Sequence, residues 1–245
     1  MEDFKLDIDI DIDLDIDLDI ENDFDIEDFN MTDIEEQTRI IKPKYKKTLQ
    51  EKHLKYKYAK DMAKDIDMVE GFRAYAFING SFYAGDFIEA LIYEKCLHVK
   101  ELTISTLSLN QNNVDSLKML LELGYVDKLN LIVSAYFYSH ERRNLIPYIY
   151  KNLDIENKFQ LSVARTHCKI MYFILENNQK WIIHGSANLR SSGNIEQLMI
   201  EENEGLYDFN RETHESIIEK YKTIKKEIGG ELLWQRVEGK AEVQV

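Results

Sequence analysis

The sequence predicts an α/β protein, an α-β-α sandwich on a mixed β-sheet, preceded by a disordered acidic arm. Three observations predict it. From Gly71 onward, β-rich apolar runs alternate with segments of helical apolar spacing. Hydrophobic residues make up 44% of the 245, enough for a substantial core once the arm is set aside. Charge is partitioned: of the net −14, residues 1–38 hold −16 (17 Asp or Glu against one Lys) and residues 39–64 hold +8 (ten Lys or Arg against two acids), which leaves −6 for the rest. The chain therefore divides into an acidic arm (1–38), a basic aromatic connector (39–70), a body (71–230) and a C-terminal tail (231–245).

The arm carries the repeat DIDIDIDLDIDLDI from Asp7 to Ile20. Period-two alternation is the pattern of a half-buried strand. A lone strand has no partner, and aspartates sharing one face repel, so disorder is expected. Two roles suit such a segment. Its carboxylates match a phosphate backbone in charge and could compete for a basic cleft, and its isoleucines could dock on a partner's sheet edge. The connector mixes lysines with Tyr45, Tyr56 and Tyr58. After Pro43 it is expected to be partly helical, and its composition suits phosphate contact with base stacking or, equally, a solvated face.

In the body, residues 74–80 read as a strand and turn, 85–98 as a helix, 101–109 as a strand, and 114–124 as an amphipathic helix ended by Gly124. Residues 128–137 read as a buried strand, and 140–153 as a helix interrupted at Pro147. Three strands follow at 158–165, 167–175 and 180–187, the last two joined by a turn at 176–179. Residues 195–203 are β-like, and a helix from Arg211 to Ile228 ends at Gly229-Gly230.

Several classes are excluded. No apolar run approaches the roughly 18 residues of a membrane span. The aspartate-rich N-terminus does not read as a secretory signal. Cys96 and Cys168 make no disulfide framework and are expected to be buried thiols in a reducing cytoplasm. There is no C-x-x-C, H-E-x-x-H or P-loop, so neither a metal nor another cofactor is implied.

The chemistry concentrates between His167 and Glu202. On a strand over 167–175, His167 and Lys169 share a face and Cys168 points away. The next strand ends in Gly185-Ser186-Ala187-Asn188, where glycine would let the backbone approach an anion. A hairpin sets these polar groups around one phosphate. Neutral imidazole is a competent nucleophile at phosphorus. Lys169, Ser186 and Asn188 can stabilise charge on the phosphoryl oxygens. Glu196 is the candidate to fix the imidazole from its far nitrogen. Asn194, Arg142 and Arg143 are candidate substrate contacts, His140 stands beside those arginines, and His184 reads as a lining residue. Two other H-x-K triplets, His53-Leu54-Lys55 and His98-Val99-Lys100, lack a following G-S-x-N in strand context.

The joint pattern H-x-K, G-S-x-N and a downstream glutamate resembles the phospholipase D superfamily, over roughly residues 70–220. The matching positions are His167, Lys169, Gly185, Ser186, Asn188 and Glu196; Ile174 stands where the full family motif has an aspartate. The resemblance implies a phospholipase D-like sandwich and metal-independent phosphodiester chemistry. With one motif copy, it also implies a homodimer in which two His167 side chains face each other across the two-fold. Together with the basic connector, this makes a cytoplasmic nuclease acting on nucleic acid, most simply DNA, the expected function. The alternatives are a silent nucleic-acid-binding or scaffold protein and a phospholipid phosphodiesterase or transferase, although no stable membrane association is expected.

Overall fold

The computed structural model describes residues 50–190 and 193–223. The acidic arm, the connector before Gln50, the Gly229-Gly230 stop and the tail lie outside the described residues. Eight strands form one mixed sheet: β1 (Gln50–Tyr56), β2 (Phe72–Ile78), β3 (Val99–Thr106), β4 (Leu129–Ser134), β5 (Phe159–Ala164), β6 (Ile170–Leu175), β7 (Lys180–Gly185) and β8 (Glu196–Glu202). Their spatial order is β1-β2-β8-β7-β6-β3-β4-β5. β1 runs parallel to β2, and β3, β4 and β5 are mutually parallel, while β6 and β8 run against their neighbours. The expected α/β fold with a mixed sheet is what the chain forms.

Each face has its own cover. β2 sends Phe72, Ala74, Ala76 and Ile78 inward and Arg73, Tyr75 and Phe77 to the other side, the two-residue alternation of a pleated strand. The main core lies under α1 (Ala59–Asp65), α2 (Ala84–Glu94), α3 (Gln111–Glu122) and α5 (Leu145–Leu153). The opposite face is covered in part by α6 (Glu204–Tyr221). There Tyr172 and Ile182 pack with Tyr207, and His214 stacks on Tyr172 with ring centroids 5.5 Å apart and planes 11° apart. The β5 edge is protected by the chain leaving α6: Thr223 donates its N–H to the Leu161 carbonyl at 2.8 Å.

Several local expectations are corrected. The connector is partly helical as expected, through α1 from Ala59, but it forms a strand over Gln50–Tyr56 ahead of that helix, and the sheet begins there. The strand expected to run to Phe137 stops at Ser134, whose hydroxyl accepts the Phe137 N–H at 3.0 Å and starts α4 (Ala135–His140). Pro147 lies in the first turn of α5, where its missing N–H interrupts nothing. The last helix begins at Glu204, capped by the Asn203 side chain on the Leu206 N–H. Both cysteines are exposed, not buried. Among the described residues no helix is long and apolar enough to cross a membrane.

Candidate active site

The registers bring one end of every strand to the same edge of the sheet. Tyr56 pairs with Ile78, Ile78 with Glu196, Gly185 with Leu198, His184 with Ile170, Ser105 with Ile170, and Ser134 with Ala164. This edge holds the carboxyl ends of the parallel strands, the usual place for a site in an open α/β sheet. The loop entering β6, the loop leaving β7 and the start of β8 all lie on it.

His167, Cys168 and Lys169 are not on a strand, because β6 begins at Ile170. Strand alternation therefore does not set their directions, and His167 and Cys168 are both exposed. The triplet is still held beside β7: the Gly185 N–H donates to the Lys169 carbonyl at 3.3 Å, one step past the end of the β6 ladder. The Lys169 ammonium turns back and donates to the His167 carbonyl at 3.3 Å. The Cys168 N–H is held by the Thr166 hydroxyl at 3.0 Å, which tightens the same loop.

Gly185 has a packing role that the sequence reading did not name. A Cβ there would lie 2.0 Å from the Gln197 carbonyl oxygen. The backbones of β7 and β8 close on each other so that the Ser186 N–H reaches that carbonyl at 3.0 Å, while the Gln197 N–H donates to the Ser186 hydroxyl at 3.0 Å. The same hydroxyl donates to the Glu196 carboxylate. Glu196, expected on the far side of an imidazole, is here the acceptor for Ser186. Asn188 is anchored from the residue after β3: its Oδ1 accepts the Leu107 N–H at 3.3 Å. With Oδ1 committed to the protein, the amide NH2 is the group left to face a ligand.

The remaining candidates separate. Asn194 is exposed in the loop before β8. Arg142 and Arg143 are exposed in the turn between α4 and α5, beyond β4 and so two strands across from β6. His184 lies on the sheet face partly covered by α6, its Nε2 3.4 Å from Glu201 Oε1. Glu201 is buried, and burial pushes its carboxyl up, but hydrogen bonds from His184 and Asn203 and the charge of Arg73 outweigh this and hold it below the ordinary carboxylate value. Ile174 sits partway down β6 and packs with Tyr172, Ile182 and Tyr207, an apolar setting in which a lone carboxylate would be costly. His98 stands at the opposite end of the sheet, before β3, where its Nε2 meets Asp127 at 2.9 Å. That hydrogen bond raises the His98 pKa and ties the ring to a surface ion pair. His53 lies on β1, edge-on to Tyr75 at 6.0 Å.

Sequence reading missed two structural elements of this edge. One is the Leu107 backbone, which orients Asn188. The other is α4, which presents Tyr136 and His140; Ser134 ahead of a run of helical length was the available signal. Among the described residues no three His, Cys, Asp or Glu side chains gather so as to hold a metal ion.

No family model matches the chain, and no curated protein matches it. Solved structures similar to it include a phospholipase D family member, Nuc, from Salmonella typhimurium (13% identity, 62% of this chain and 97% of that one, TM-score 0.42). Polyphosphate kinase from Porphyromonas gingivalis is another (12% identity, 76% of this chain and 30% of that one, TM-score 0.45). A third is phosphatidylserine synthase from Haemophilus influenzae Rd KW20 (14% identity, 74% of this chain and 49% of that one, TM-score 0.43). The chain spans under half the length of the latter two.

Proposed function

We propose that the protein is a metal-independent phosphodiesterase acting on nucleic acid, a DNA endonuclease in its simplest form, with a phospholipase D-like active site. The observation that carries this reading is the meeting of three segments at one sheet edge. The His167-x-Lys169 loop is bonded to β7 at Gly185, Ser186 is fixed by Glu196 and Gln197, and Asn188 is fixed by Leu107. An imidazole, an ammonium, a hydroxyl and an amide are the groups a phosphodiester transfer requires.

In the proposed cycle an imidazole nitrogen of His167 attacks phosphorus. The N–P bond forms, the bond to the leaving oxygen breaks, and that oxygen takes a proton from His167 of a second subunit. Water then attacks the phosphohistidine, gives its proton to the second imidazole, and breaks the N–P bond to regenerate His167. Lys169 and Asn188 hold the phosphoryl oxygens through both steps, and Ser186 joins them by turning its one hydroxyl proton from Glu196 to the phosphate. Glu196 is a positioning residue for Ser186. The two histidines come from two copies of the chain, so the active species is a homodimer with a shared site.

The test is cleavage of plasmid and oligonucleotide DNA by the pure full-length protein in EDTA, beside sedimentation analysis of its oligomeric state. Cleavage survives the chelator and is lost by at least about a thousandfold in His167→Ala, which keeps the fold because the side chain is exposed. Loss of cleavage in EDTA, full activity in His167→Ala, or turnover confined to phospholipid overturns the proposal; a monomer that still cleaves removes the shared site alone.

A further inference from the structure

We infer that α4 is a nucleobase platform, and that it makes the site selective for single-stranded nucleic acid. The inference rests on the phosphodiesterase reading only for its phosphate; the platform itself is visible in the side chains. α4 follows β4 at the same sheet edge as the His167 loop. Its one buried side chain is Phe137, which pins it to the core. Tyr136, one residue earlier, is 63% exposed, and it stacks on His140 with centroids 5.2 Å apart and planes 22° apart. The stack holds the Tyr136 ring in place with a large part of its surface in water. A π-face of that kind, ordered before any ligand arrives, suits base stacking at small entropic cost. Arg142 and Arg143 follow it in the next turn, both exposed, and supply positive charge for a backbone phosphate beside the stacked base.

The platform is wired to the phosphate-holding groups. Asn188 Oδ1 accepts the Leu107 N–H at 3.3 Å, the Leu107 carbonyl accepts the Ser134 hydroxyl at 3.2 Å, and Ser134 Oγ accepts the Phe137 N–H at 3.0 Å. Three hydrogen bonds thus run from the Asn188 side chain to the helix that carries Tyr136. β4 and β6 are separated by β3 alone, so the strand that leads into the platform and the strand that the His167 loop enters lie about 10 Å apart. A single strand with one base on Tyr136 would then run along the same edge as Lys169, which would take a nearby phosphate. A base within a duplex is already stacked and paired, and its face is not available to Tyr136.

The test measures binding, not cleavage, and so stands apart from the catalytic proposal. Full-length protein carrying His167→Ala is titrated by fluorescence anisotropy with a single-stranded oligonucleotide, an abasic oligonucleotide of equal length, and the matching duplex, each as DNA and as RNA. The base-bearing single strand binds about tenfold tighter than the abasic strand and the duplex. Adding Tyr136→Ala erases that preference, whereas Tyr136→Phe keeps it. A 2-aminopurine base in the strand is quenched with Tyr136 or Phe present and not with Ala. Equal binding of base-bearing and abasic strands, equal binding of the duplex, or a preference that persists in Tyr136→Ala overturns the inference. A protein that shows the base preference yet cleaves nothing in EDTA sinks the phosphodiesterase reading and leaves the platform standing.

Discussion

Gly185 shows how little room the site edge leaves. The Gln197 carbonyl that a Cβ would strike is held by the Ser186 N–H, and the Gln197 N–H is held by the Ser186 hydroxyl, so β8 cannot move away without breaking both bonds. Gly185→Ala should therefore destabilise the protein by about 1–3 kcal/mol, the range for forced overpacking, and release Ser186 from Glu196. Urea unfolding of the variant checks the first effect, and its cleavage rate the second; a variant as stable as the parent would show that the strands can separate. That these residues form one group was legible in the sequence, from H-x-K followed by G-S-x-N and a glutamate. Their supports were not. His167, Cys168 and Lys169 read as strand because they lead without a break into the apolar run from Ile170 to Leu175. The strand nonetheless stops, because β3 ends at Thr106, whose hydroxyl serves the Ser108 carbonyl and the Leu189 N–H and whose chain then turns into a loop. A strand without a neighbouring ladder is a loop, whatever its pattern.

Elements were legible where tertiary contacts agree with local pattern and illegible where a partner decides. The central strands and α2, α3 and α5 follow their apolar spacing closely. β1 does not read as a strand, since its lysines tolerate either structure, and only its parallel register with β2, from Gln50 opposite Phe72, makes it one. α6 carries the element-scale prediction. His214 lies on its sheet-facing side, 4% exposed and stacked on Tyr172, and its Nδ1 has no hydrogen-bond partner among the described residues. Burial pushes this imidazole down to about 4, against an ordinary value near 6.5. The unfolded chain binds the proton first as pH falls, so the folded state holds its full stability above about pH 6.5 and loses it progressively toward pH 4, by about 3 kcal/mol. His214→Phe, which keeps a ring on Tyr172 and cannot titrate, should flatten that slope. Chemical denaturation at pH 7, 5.5 and 4.5 tests it: parallel pH dependence in the two proteins would show that His214 is not the titrating group.

At the scale of the whole molecule, the charge distribution opposes the proposed substrate. A nucleic-acid enzyme with a net charge of −14 must overcome its own long-range repulsion, and the source of that repulsion is the first 38 residues, at −16, beside a connector segment at +8. If the arm competes with phosphate for basic groups, the competition is electrostatic and must fade with salt, because the screening length falls from about 30 Å at 0.01 M to about 10 Å at 0.1 M. Deleting residues 1–38 should then raise affinity for single-stranded DNA roughly tenfold or more at about 20 mM salt, and the gain should shrink toward unity near 0.3 M. A peptide of residues 1–38 added in trans should restore the lower affinity at low salt. Anisotropy titrations of the full and shortened chains across that salt range give the answer. Equal low-salt affinities would mean that the carboxylate row does not reach the binding surface. A gain that persists undiminished at high salt would mean that it acts by steric cover and not by charge.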